Sequence, residues 1–185
     1  MTTTRQQMID TGVRLFQRGG YYATTWRGLV EEAGAPWGSI NHHFPGGKQE
    51  LAIEAIRVGA AAVDALIEHC FSANQDPADA VANWFALSAD LMVATDYTTG
   101  CPVATVALEM VATPGPVRDE TTHAFDRWQA TLARQFATAD RADADALATA
   151  VLALLEGALL LARARQDREP LTIAGTQARR LIDTH

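Results

Sequence analysis

Between Thr24 and Lys48 the chain gathers side chains suited to holding phosphates and reading base edges. Thr24, Thr25, Arg27, His43 and Lys48 carry hydroxyl, guanidinium, imidazole and ammonium groups, donors that fix a protein on a nucleic-acid backbone without reading its sequence. Asn41 carries an amide that can pair bidentately with N6 and N7 of adenine. Trp37 offers an indole face either to thymine methyls and sugars or simply to the turn beside it. Gly38, Ser39 and His42 complete this short run of candidate contacts.

Such groups act together only when a frame presents them on one side. Thr24 or Thr25 can N-cap a helix whose apolar positions Trp26, Leu29, Val30 and Ala33 recur at helical spacing, and Gly34 suits its left-handed C-cap. Pro36 then fits the first turn of a second short helix, Trp37 to Phe44, ended by Pro45-Gly46-Gly47. Two short helices joined by a tight turn spell a helix-turn-helix, whose second helix enters the major groove. Ile9, Val13 and Phe16 mark an opening amphipathic helix, ending near Gly19-Gly20, that supplies the third core element.

The motifs Gly20-Tyr21, Thr24-Thr25, Ala33-Gly34-Ala35, Gly38-Ser39-Ile40, His43-Phe44 and Lys48 resemble those of the TetR family of transcriptional regulators. Gly100 to Glu109 (GCPVATVALE) and Leu155 to Ala164 (LEGALLLARA) are similar to the LmrA/YxaF-like branch and extend the likeness over most of the chain. Two departures bear on DNA reading. Trp37 replaces a basic or small polar residue, and Asn41 stands where an aromatic ring usually contacts phosphate or thymine. The Phe-Pro-Gly-Gly-Lys segment is also one residue longer than the commoner form.

The whole chain reads as all-α, with about nine helices. A helix-turn-helix DNA-binding domain is expected over residues 1–47, and a larger effector-binding and dimerisation domain over 48–185. Beyond Lys48, helices are expected to about Phe71, after Asp76, over Val103 to Val111, Val117 to Ala137, Asp143 to Gln166 and Thr172 to Asp183. No period-two run of strand length interrupts them.

At 185 residues and 48% hydrophobic, the chain can bury a full core. Its net charge of −7 opposes nucleic-acid binding at first sight, but residues 1–50 hold five cations against four carboxylates. A head of +1 precedes a body of −8. So small an excess implies that helix termini and neutral donors carry much of the phosphate contact. Cys70 and Cys101 lie far apart and no leader segment opens the chain, so a cytoplasmic, reduced protein is expected. Each cysteine either packs as a small hydrophobe or senses oxidants. No metal site is expected: His42 and His43, as helical neighbours, point about 100° apart and lack a carboxylate or thiol partner. No catalytic set of nucleophile, base and orienting group is visible, and no cofactor motif.

The family likeness implies a homodimer on a pseudo-palindromic double-stranded operator, most often as a repressor, released when a small apolar or aromatic effector enters the body. Candidate effector contacts are Trp84, Phe85, Ser88, Leu91, Met92, Leu108, Glu109, Phe125, Trp128 and Leu132. Each aromatic can equally be core, and Glu109 either orients a ligand or lies at the surface. Ala146 to Ala162 is almost wholly apolar, but Glu156 near its middle disfavours a membrane span. The resemblance implies instead that the last two helices pair with those of a second copy. Leu147, Val151, Leu154, Ala158 and Leu161 form one stripe; Leu152, Leu155, Leu159 and Ala162 form another. Val151, Leu152, Leu155, Leu159, Ala162, Ala178 and Leu181 are the candidate dimer contacts. A helical enzyme and a protein-binding helical adaptor are the alternative functions.

Overall fold

In the computed structural model, residues 3–137 and 143–183 are described. Among these residues there are nine α-helices and no strand: α1 (Thr4–Ala23), α2 (Trp26–Ala33), α3 (Ile40–His43), α4 (Gly47–Ala73), α5 (Pro77–Ala94), α6 (Ala104–Met110), α7 (Pro116–Ala137), α8 (Ala144–Arg165) and α9 (Glu169–Asp183).

Local chemistry sets most of the boundaries. Thr3 caps α1 by accepting the Gln6 amide at 3.2 Å. Asp76 caps α5 by accepting from Ala78 at 2.7 Å, with Pro77 in the first turn, where no amide is needed. The same tolerance moves the start of the last helix. It begins at Glu169, three residues before the expected Thr172, because Pro170 fits the first turn. Pro36 behaves otherwise: it is extended (ψ 135°) and precedes a 3-10 turn over Trp37–Ser39, which leads into the single turn of α3. The expected Trp37–Phe44 helix is therefore two shorter pieces, a 3-10 turn followed by one α-helical turn.

The helices pack as two units, residues 1–61 with 101–124, and residues 62–100 with 125–185. In the first, Met8, Ile9, Leu29, Val30, Ile40, Phe44 and Leu51 form a buried cluster on which Trp26, Ala33 and Ala35 lean. Helix α6 packs on α1 in this unit. The grouping by packing thus differs from the division expected at 47/48, since the start of α4 and all of α6 lie with the head. In the second unit, α9 packs on α5 and α8, and Trp84, Phe85, Trp128, Leu132 and Phe136 are buried.

Helix α8 is long and apolar enough to cross a membrane by composition alone, with a mean hydropathy of 1.9 in its most apolar window. Its buried residues are Leu147, Ala148, Val151, Leu152, Leu155, Ala158 and Ala162. Both expected stripes therefore contribute to one inward face. The outward face carries Leu160 and Leu161, with Leu154 half-buried.

Candidate nucleic-acid interface

The tip of the first unit is built by three local devices. Thr25 caps α2, its hydroxyl accepting the Gly28 amide at 3.1 Å. Gly34 closes α2 in the left-handed region (φ 62°), and its neighbour Ala35 donates its amide to Val30 at 3.0 Å. Ser39 donates its hydroxyl to the Pro36 carbonyl at 2.6 Å, fastening the 3-10 turn. Below this surface Ile40 and Phe44 anchor α3 in the core, and the Trp26 ring lies 6.1 Å from that of Phe44. Asn41 and His42 face outward, as does Gly38, and Trp37 is 62% exposed despite its size. A groove of about 500 Å³ between α2 and this tip is lined by Arg27, Val30, Glu31, Ala35 and Trp37.

Not every expected contact residue faces outward. Thr24 is buried, its hydroxyl donating to the Gly20 carbonyl at 2.8 Å, because the extended chain between α1 and α2 turns it inward; Thr25 is the exposed member of the pair. His43 is half-buried, its ring edge-on to His42 at 4.9 Å. Lys48, the chain's only lysine, is half-buried with its ammonium 4.4 Å from the centre of the Tyr21 ring. Burial pushes this ammonium below its ordinary pKa, and the charge of Glu109 pulls the other way. Among the described residues no group of three or more His, Cys, Asp or Glu side chains could hold a metal.

Every arginine of the first unit lies beside a carboxylate. Arg14 and Arg18 both reach Glu32 at 3.3 Å, and Arg27 reaches Glu31 at 3.2 Å. Arg5 lies 3.6 Å from Glu50, Arg57 2.8 Å from Glu120 and Arg118 3.7 Å from Asp119. Such exposed pairs contribute about 0–1 kcal/mol each, so a phosphate can exchange for the carboxylate at small cost.

The Glu109 carboxylate is engaged at the end of α1. Its Oε2 accepts the backbone amides of Tyr21 and, at 3.1 Å, of Tyr22. Nothing in the local sequence around Glu109 signals this contact, which closes across 88 residues; only Gly20, where α1 is kinked at φ 78°, hints that those amides leave the helical ladder.

The remaining effector candidates divide. Trp84, Phe85, Ser88, Met92, Trp128 and Leu132 are buried in the second unit, and Phe125 is half-buried with its ring 5.5 Å from that of Trp128. Leu91 is exposed, off the phase of the inward positions Trp84, Ser88 and Met92. Leu108, in the first unit, is 73% exposed, since two residues (about 200°) separate it from the buried Val106 and Met110. The dimer candidates need a similar correction. Val151, Leu152, Leu155, Ala162 and Ala178 are buried within the chain itself and Leu159 half-buried, leaving Leu181 outward with Leu161, a member of one apolar stripe, and with Leu160 and Ile173, which were not expected there.

Comparison with known proteins gives this geometry its context. Residues 8–55 match the profile of bacterial regulatory proteins, tetR family, and residues 77–177 match that of the transcriptional regulator LmrA/YxaF-like C-terminal domain. The chain is 34% identical to the HTH-type transcriptional regulator YxaF of Bacillus subtilis over 94% of its own length and 92% of the relative's. It is 31% identical to the HTH-type transcriptional regulator LmrA of Bacillus subtilis, covering 91% and 90% of the two chains. A crystal structure of a regulatory protein TetR from Rhodobacter sphaeroides shares the fold, with a TM-score of 0.88 over 97% of this chain and 98% of that one at 24% identity.

Proposed function

Since the chain belongs to the TetR family of bacterial transcriptional regulators, in its LmrA/YxaF-like branch, we propose that it is a one-component repressor. It binds a pseudo-palindromic operator in the cytoplasm as a homodimer and leaves it when a small apolar or aromatic molecule binds the second unit. The observation that carries this reading is the outward set Trp37, Gly38, Asn41 and His42 on a buried core drawn from α1, α2, α3 and the start of α4. Asn41 reads an adenine edge, Trp37 covers thymine methyls or sugars, and the α2 N-terminus with Thr25 and Arg27 takes phosphates. His42, Gly38 and Ser39 lie at the same surface, and Lys48 and His43 stand behind it. A repressor of this kind needs only to occupy its site.

Pairing of two chains through the outward faces of α8 and α9 sets the separation of the two heads. They must meet successive major grooves about 34–36 Å apart. An effector acts by favouring a dimer in which that spacing is wrong. By linkage, one that weakens operator binding 100-fold binds the DNA-free dimer 100-fold more tightly than the DNA-bound one, about 2.7 kcal/mol of coupling. Trp84, Phe85, Ser88, Met92, Phe125, Trp128 and Leu132 are the side chains among which the effector is sought.

The test is selection of duplexes by the protein from a random pool, followed by titration of the winner against a scrambled duplex at several salt concentrations. Enrichment of an inverted repeat, bound by two chains, is the expected result. Enrichment of no sequence sinks the reading.

A further inference from the structure

Glu109 solves a problem created in α1, the helix on which α6 packs. Gly20 adopts φ 78° and ψ −171° inside α1, outside the helical region, so the regular pattern of amides donating four residues back is interrupted there. The two amides that follow converge on one oxygen of Glu109, a carboxylate seated in a concavity of successive N–H groups. A side chain at position 20 would fill the same space: a Cβ there would stand 2.6–2.7 Å from the carboxylate atoms. Around this contact, Thr24 ties its hydroxyl back to the Gly20 carbonyl, Lys48 rests on the Tyr21 ring, and the Tyr22 hydroxyl lies 3.5 Å from that of Thr113. The residues so held, 20–24, run directly into Thr25, the cap of α2.

We propose that Glu109 is a positioning residue for DNA reading: from α6 it grips the Tyr21 and Tyr22 amides and thereby fixes the direction in which the chain enters the helix-turn-helix. It touches no DNA itself. The inference rests on the DNA-binding function proposed above. It adds a residue outside the reading head whose removal misaims that head without unfolding it. The Tyr22 amide lies at the surface and that of Tyr21 is half-buried beside it, so water entering from the exposed side replaces the carboxylate when it is lost, and the chain keeps its helices while losing the constraint.

The experiment uses the full-length protein and the duplex that the unaltered chain selects from a random pool. Glu109→Ala is expected to weaken binding to that duplex at least tenfold, with unchanged oligomeric state and circular dichroism. Hydrogen exchange of the Tyr21 and Tyr22 amides should quicken at least tenfold, while amides of α2 keep their protection. Glu109→Gln, whose amide oxygen can accept the same two bonds, should restore binding to within about threefold and slow the exchange again. Binding by Glu109→Ala within twofold of the unaltered chain overturns the proposal, as does a loss that comes with general loss of protection in α2, which marks a merely structural role. If the unaltered chain enriches no duplex, the DNA-binding reading falls and this inference with it, an outcome distinct from normal binding by Glu109→Ala.

Discussion

Trp37 and Trp128, one in each unit, are used in opposite ways. Trp37 in the first is 62% exposed at the tip of a 3-10 turn, while Trp128 in the second is fully buried. Trp128 gains its burial energy whether or not anything binds. An exposed indole contributes little to folding, and its large apolar face remains available to a partner. Trp128 is thus committed to packing while Trp37 is left open to a partner, and the difference lies in what surrounds each ring.

The largest expected effect is on the packed side of this contrast. Trp128→Ala should cost about 3–5 kcal/mol of stability, read as a lower midpoint in chemical denaturation, since a side chain of that volume leaves a cavity. Trp37→Ala should leave that midpoint within about 0.5 kcal/mol. A marked loss of stability for Trp37→Ala would mean that its indole shields the turn, and the contrast would collapse.

Next comes the outward face of α8. Leu160 is 63% exposed in the single chain, so Leu160→Glu should keep the helical content and yield monomers in light scattering. Leu155→Glu, by contrast, buries a carboxylate in the chain's own core and should unfold it. An intact Leu160→Glu dimer moves the interface off this face.

A smaller effect is expected at the tip. Asn41→Ala should weaken binding to the selected duplex by about 1–3 kcal/mol while leaving binding to scrambled duplex unchanged. Equal losses on both duplexes would reassign Asn41 to phosphate contact. The smallest effect concerns the arginine partners: Glu31→Gln and Glu32→Gln should each strengthen binding to any duplex by up to about 1 kcal/mol and steepen its salt dependence. No change in the salt slope would show that Arg14, Arg18 and Arg27 stand away from phosphate.

What sequence could reveal here depended on range. The α2 cap at Thr25, the left-handed Gly34 and the core positions Leu29 and Val30 are local signals, each decided within a few residues. The all-α architecture followed from the same spacing rules. Helix phase was harder. In α8 both faces are apolar, so periodicity alone could not tell Leu155, which is buried, from Leu160, which is not. Thr24 and Thr25 looked equivalent as caps until the backbone turned one inward. The Glu109 contact depends on chain distant in sequence and had no signature around Glu109 itself, with Gly20 the one hint on the side of α1.

Under the proposed function, the pairing of arginines with carboxylates also bears on how the protein finds its site in a chromosome. Cations already partnered by Glu31, Glu32 and Glu50 release fewer counterions on meeting an arbitrary stretch of DNA, so random sequence holds the protein only briefly. A genome offers about a million or more such stretches, and each is a place where a scarce regulator can be lost. A head that is nearly neutral spends less of its time parked on them. Fewer copies per cell then keep an operator filled, and a drop in operator affinity empties it without first drawing down a reservoir of loosely bound protein.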